Sequence, residues 1–428
     1  MLNTRFIPTR FDCVEDIEEY KPGGYHLVDI GDFFADGRYR IVHKLGYGGS
    51  STIWLARSQS GKLVALKVMR ADLSSQRVDE IPEVSVPLKL SDYIQARAPV
   101  ACSKIQIPED YFTVTGPNGS HLCLVYQLAG PNIRSITSCI QRRRGNKRLR
   151  KDLAKKVAKQ LVCAVDFLHS DNFVHGDITT SNILLTVAES VQNWSDSEVY
   201  LHFGEIRSAE VKTWDGSPPG SHAPPRVIEC IEDVRWNSIP LQEDTVLIDF
   251  GQSFSLLRPP ADYEPATVPH YLSPEARFDR KIGPPSDVWA LGCIIFEIRA
   301  GFPLFEAFSD DGVLKKTVQT FGKLPEPWWS AFEQRHLWFD SRGEPQELQG
   351  ASARAEMTSV KEKLADIGRQ DRPLPGTHDL PMIEPPGTRL DTVEIEALGD
   401  LLEKMMQYRP QDRITMRDIV AHPWFALG

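Results

Sequence analysis

The sequence predicts an α+β fold in two lobes, a small β-rich N-terminal lobe followed by a larger helical one. Three observations carry this expectation. The chain has 428 residues, too many for one simple core. Its early part holds short apolar runs of strand character at 39–45, 52–56, 63–68 and 121–126. Its later part holds helical periods instead: Leu153, Val157, Leu161, Val165 and Leu168 form one stripe, and residues 286–296 read as a deeply buried helix with Ser286 or Asp287 near its start. The expected division is an N-terminal extension over 1–37, a small lobe over 38–128 and a large lobe over 129–428. Two inserts interrupt the large lobe, at about 187–244 and about 306–395, both read from their Pro- and Gly-rich patches.

Composition narrows the function classes. Charged residues make up 25% and hydrophobic residues 41%, ordinary globular values, and the net charge is −9. That sign argues against direct nucleic-acid binding and suits a basic partner or plain solubility. Seven cysteines lie scattered without a C-x-x-C pair, which fits a reducing compartment and no zinc site. No apolar run reaches the roughly 20 residues of a membrane span, and no secretory leader precedes the first turns, so a protein away from the membrane is expected.

In chain order, the extension carries turn signals at Gly23-Gly24 and Gly31-Asp32. The strand at 39–45 runs into Gly46-Tyr47-Gly48-Gly49-Ser50-Ser51 and a second strand at 52–56. A glycine-rich hairpin lets backbone N–H groups approach phosphate oxygens, although most glycine turns between strands are only turns. One strand later a single lysine, Lys67, interrupts the apolar run 63–68. An edge strand could let such a lysine snorkel to water; behind a glycine-rich hairpin it suits a phosphate instead. That lysine needs a carboxylate partner. Glu83 falls on a helical stripe with Val86 and Leu90, Glu80 is the runner-up, and Pro82 and Pro87 disfavour a long regular helix there.

The stretch around which the chain is organised is Val174-His175-Gly176-Asp177-Ile178-Thr179-Thr180-Ser181-Asn182, followed by an apolar run. An Asp with an Asn five residues on is what phosphoryl transfer needs: a carboxylate to take the proton of the attacking hydroxyl, and a short amide to help hold the magnesium that neutralises the phosphates. His175 alone would more often be a packed core histidine. A second buried-strand pattern, 246–248, ends in Asp249-Phe250-Gly251 and supplies a second carboxylate for the metal.

Taken in order, these motifs resemble the eukaryotic protein-kinase signature set across about 38–428. More closely the chain resembles the SR-protein kinase family in its fungal branch. The carrying residues are 20–31 before the hairpin, 44–55 with Ser51 in the third glycine position and Trp54, 116–125, and the insert between Asn182 and Asp249 with Asp215-Gly216 and Ala223-Pro224-Pro225 inside it. The resemblance implies a two-lobed kinase fold, with one insert ahead of Asp249-Phe250-Gly251 and another late in the large lobe. It also implies ATP and Mg2+ as cofactors, and transfer of the γ-phosphate to serines in arginine/serine-rich segments of splicing factors. It further implies a monomer found in cytoplasm and nucleus.

By position, the resemblance makes Asp177 the catalytic base and Asn182 and Asp249 the metal ligands. It places Leu45, Gly46, Tyr47, Gly48, Ile53, Ala65, Lys67, Glu83, Gln127, Ala129 and Leu184 around ATP, with Tyr126 as gatekeeper ahead of the hinge. Glu275 and Arg413 become a buried ion pair, and Asp287 the anchor of the catalytic loop. The sequence departs from the general kinase pattern at Gly176, usually Arg, and at Thr179, usually Lys, and residues 266–269 match the usual substrate-side loop only loosely. Two other readings compete: a pseudokinase serving as a nucleotide-binding interaction module, and a small-molecule phosphotransferase. The Ser273-Pro274-Glu275 motif and the Arg413 motif weigh against the second.

Overall fold

The computed structural model describes residues 4–97, 104–137, 147–346, 355–369, 371 and 380–427. They form two compact units. The first comprises 1–96, 105–131 and 184–242, and the second 97–104, 132–183 and 243–428.

The first unit is built on a six-stranded antiparallel sheet: β1 (Phe33–Phe34), β2 (Tyr39–Gly48), β3 (Ser51–Ser58), β4 (Leu63–Met69), β5 (Asp110–Gly116) and β6 (Gly119–Gln127), in the order β1-β2-β3-β4-β6-β5. β2 and β3 form the glycine-rich hairpin, with Gly48 opposite Ser51. β4 lies between β3 and β6, so Lys67 is in register with Ile53 on one side and Leu124 on the other. One face of the sheet buries Val28, Ile41, Trp54, Leu66, Val68, Cys123 and Val125. Beside the sheet runs the helix Pro82–Arg97. Its 16 residues exceed what Pro82 and Pro87 led us to expect. Pro82 opens the helix, where a missing N–H costs nothing. Pro87 comes early enough that the lost bond falls near that first turn.

The insert differs more. Residues 187–244 were expected to be loop, yet they hold the helix Asp196–Phe203 and a two-stranded ribbon, Ser208–Glu210 with Arg226–Ile228. The helix has a full capping box: Ser195 Oγ accepts from Glu198 N, and the Glu198 carboxylate accepts from Ser195 N. Val191, Trp194, Val199, Phe203, Trp236 and Ile239 then bury against Val42, Leu55 and Leu63 of the sheet. The loop reading weighed prolines and glycines and overlooked this spaced apolar set. The extension is likewise integral. Phe6, Ile17, Tyr20 and Tyr25 share a cluster with Val211, Ala223 and Val227 of the insert. The buried Asn118 donates to Tyr25 O (2.7 Å) and His222 O (2.9 Å), pinning extension and insert to the β5–β6 turn.

The second unit is helical. In the helix Lys151–Ser170 every residue of the expected apolar stripe is buried. The helix Pro284–Ala300 is buried from Ser286 onward. Glu275 and Arg413 pair bidentately at 2.6 Å with almost no exposure. The region expected as a second insert, 306–395, holds the helices Asp310–Phe321, Trp328–Ala331 and Val360–Asp366. Much of its Pro-rich part, 372–379, lies outside the described residues. Among the described residues no helix is long and apolar enough to cross a membrane.

Candidate active site

The site residues expected from the sequence fall into two sets, one within each unit. In the first unit, Lys67 Nζ donates to Glu83 Oε1 at 2.6 Å, and both side chains are nearly buried. Of the two glutamates left open by the sequence, Glu80 sits exposed in the short turn Val78–Glu80, and Glu83 makes the pair. Tyr126 Oη also donates to Glu83 Oε1, at 3.2 Å, so the gatekeeper position acts here as a second donor orienting the carboxylate. A buried lysine paired in this way has its amine aimed, which is what a phosphate-binding lysine needs.

The other residues assigned to ATP occupy this unit too. Leu45, Ile53, Ala65 and Leu184 are half-buried, as is Gly46; Ala129 is buried; Tyr47, Gly48 and Gln127 are exposed. Tyr25 Oη donates to Gly48 O at 2.8 Å, a tether of the glycine-rich loop to the extension that the strand pattern gave no reason to expect.

In the second unit the catalytic loop is held from both sides. Asp287, near the start of the Pro284–Ala300 helix, accepts from His175 N (2.9 Å) and Gly176 N (3.0 Å), and His169 Nε2 lies 2.9 Å from it. His175 is fully buried, with Nε2 3.1 Å from Ile248 O, so it serves as a packed spacer between the catalytic loop and the strand ahead of Asp249. Asn182 Nδ2 donates to Asp177 O (2.8 Å) and to Asp177 Oδ2 (3.1 Å). Ile248 N donates to Asn182 O at 3.0 Å, which fixes the Asp249 strand beside Asn182. Thus Asp177, Asn182 and Asp249 are brought together by bonds within a single unit.

Asp249 has φ 64° and ψ 73°, a left-handed conformation uncommon for a residue with a side chain. Such strain gathers at functional positions, where surrounding structure holds it. The donor set suits magnesium. With its Nδ2 engaged by Asp177, Asn182 keeps an amide oxygen to offer; Asp249 offers a carboxylate. Two hard oxygen ligands completed by phosphate oxygens and water are the usual magnesium arrangement.

Thr267 makes contacts at this loop that the sequence reading missed. Its Oγ1 donates to Gly176 O at 2.8 Å, and it also interacts with the Asp177 carboxylate. It lies in the stretch that matched the usual substrate-side loop only loosely, and no local pattern marks it. Burial raises Asp177 above the ordinary carboxylate value, and the nearby Asp249 charge adds to this; Thr267, His175 and Asn182 oppose it. The fold therefore favours the protonated form. That contribution to stability is present below about 3.9 and is lost as pH rises through the raised folded value. Two results should follow: Asp177→Asn is at least as stable as the parent at pH 7 by thermal unfolding, and it loses about 10²-fold or more in turnover. A variant clearly less stable at pH 7 but more stable at pH 4 would contradict the assigned environment.

Comparison with known proteins agrees with this geometry. Residues 39–196 and 236–425 match the protein kinase domain family, so the family pattern breaks across the insert. The serine/threonine-protein kinase SRPK of Physarum polycephalum is 26% identical over 436 residues, 96% of this chain and 91% of that protein. Protein kinase dsk1 of Schizosaccharomyces pombe is 34% identical over 175 residues, 40% of this chain and 31% of that protein. Serine/threonine-protein kinase SKY1 of Saccharomyces cerevisiae is 29% identical over 178 residues, 41% of this chain and 23% of that protein. The pseudokinase reading finds no support in these matches. The chain belongs to the protein kinase family, as a serine/threonine protein kinase similar to the SR-protein kinases.

Proposed function

We propose that this kinase transfers the γ-phosphate of ATP to serines in arginine/serine-rich protein segments. Lys67, set by Glu83 and Tyr126, would hold the α- and β-phosphates, and Gly46 and Gly48 would cover them. Asn182 and Asp249 would hold magnesium, which supplies neutralisation of the phosphate charge when bound. Asp177 accepts the serine proton or orients the hydroxyl, its position fixed by Asn182 and Thr267.

The observation that carries the basic-substrate reading is a cleft of about 660 Å³ in the second unit. Glu306, Glu362 and Asp366 line it against Lys363 and Arg369, Arg369 pairing with Asp366; Asp371, also at its wall, is buried against Arg148. With Glu306 and Glu362 at the cleft and a net charge of −9 on the chain, this surface would suit a cationic segment better than an anionic one. Radiolabel transfer from ATP should be strongest to an arginine/serine peptide, weaker to a generic acidic or neutral protein, and abolished by Asp177→Ala. Equal labelling of the generic protein and the basic peptide would defeat the substrate class while leaving the kinase assignment intact.

A further inference from the structure

The extension and the insert meet at a pair of cysteines. Cys230 N donates to Cys13 O at 3.0 Å, and the next residue, Ile231, donates to Lys44 O at 3.0 Å. The Lys44 side chain is buried completely; its ammonium donates to Glu15, two residues from Cys13, and to Ile228 O at 3.1 Å, two residues from Cys230. The same ammonium lies 5.9 Å from the ring centroid of Tyr47 in the glycine-rich loop. That backbone bond between Cys230 and Cys13 draws the two residues together, and the two thiols interact directly with each other, the proximity a disulfide requires. Cys13 is half-buried and Cys230 buried. The Cys230 thiol, and secondarily Lys44, favour the Cys13 thiolate against the effect of burial, whereas contact with Cys13 and burial push Cys230 up. The more accessible sulfur is thus the one whose ionisation is favoured, and the thiolate is the form that reacts.

We propose that Cys13 and Cys230 are a redox-sensitive dithiol, which a hydroperoxide converts to an intrachain disulfide stapling the extension to the insert beside the glycine-rich loop. The Cys13 thiolate attacks the terminal peroxide oxygen. The O–O bond breaks, an alcohol or water leaves, and Cys13 becomes a sulfenic acid. The Cys230 sulfur then attacks Sγ of Cys13. The S–S bond forms as the S–O bond breaks, and the departing hydroxide takes the Cys230 proton as water. In sum, two thiols and one hydroperoxide give a disulfide, an alcohol or water, and water. A thiol reductant reverses the step.

The test uses the full chain, reduced and then exposed to a slight excess of hydrogen peroxide, with non-reducing peptide mapping by mass spectrometry. A linked pair of peptides carrying Cys13 and Cys230, two hydrogens lighter than their sum and released by dithiothreitol, is the expected product. Oxidised protein should also show a higher unfolding midpoint than reduced protein, because the staple closes a very long loop in the unfolded chain. Under reducing conditions Cys13→Ser should keep parental kinase activity and lose only the linked peptide and the midpoint shift. Oxidation confined to Cys163 or other thiols in the parent protein, with no Cys13–Cys230 link, would overturn the proposal without reference to any variant's folding.

Discussion

Asp249→Asn should fold normally and lose phosphoryl transfer by about 10³-fold or more. Asp249 stands in the left-handed region, at φ 64°. Asn is among the few residues that adopt this conformation readily, so the substitution keeps both shape and backbone. What it removes is the charge offered to magnesium. Asn182 would then be left with another neutral amide beside it, and two neutral oxygens hold a divalent cation poorly. Steady-state phosphate transfer and thermal unfolding, measured on the same preparation, check both halves. Turnover within tenfold of the parent would sink the metal-ligand assignment. A large drop in unfolding temperature would show that the carboxylate has a structural task as well.

Gly176→Arg, which introduces the residue most protein kinases carry, should damage this protein. Gly176 has φ +80°, and a Cβ there would collide with Tyr263 Oη and lie 2.8 Å from Gln252 O. Tyr263 Oη itself donates to Gln252 O at 3.1 Å, so neither neighbour yields without breaking that bond. Thr267 bonds to the Gly176 carbonyl and Asp287 to its N–H, which ties any backbone shift directly to Asp177. We expect a loss of about 1–3 kcal/mol in stability and at least tenfold in turnover. Gly176→Ala, which adds only the Cβ, should show most of the same effect. Parental turnover in the Ala variant would mean that the close contact relaxes freely. The space a side chain at 176 would enter is thus occupied by a tyrosine 87 positions later in the chain.

Legibility in the sequence followed how local each feature is. Asp177 and Asn182 are five residues apart and bond to each other, so their spacing carried the geometry. Asp249 was marked by the apolar run before it, and Lys67 by the apolar run around it. The choice between Glu80 and Glu83 was harder, since both lie near a helix start, and only the turn that exposes Glu80 separates them. Thr267 and Tyr263 were illegible because their partners, Gly176 and Gln252, are met through tertiary contacts that no periodicity encodes. The insert misled for a different reason. Its glycines and prolines mark the turns between short elements, whereas its apolar residues bury against strands more than a hundred positions away.

The family pattern begins at residue 39, which invites treating that point as the start of the domain. The burial of Lys44 says otherwise. Its ammonium is 0% exposed and its carboxylate partner, Glu15, 1% exposed, and Glu15 belongs to the extension. A chain started at residue 39 would fold around a buried cation stripped of its counter-ion. Breaking a buried pair in this way costs about 3–5 kcal/mol, a large part of the roughly 5–15 kcal/mol that holds a typical protein folded. The unit that heredity repeats across kinases and the unit that can fold are therefore not the same length in this chain. A shortened protein designed on the first would be expected to precipitate, and a kinase lost in that way would be mistaken for an inactive one.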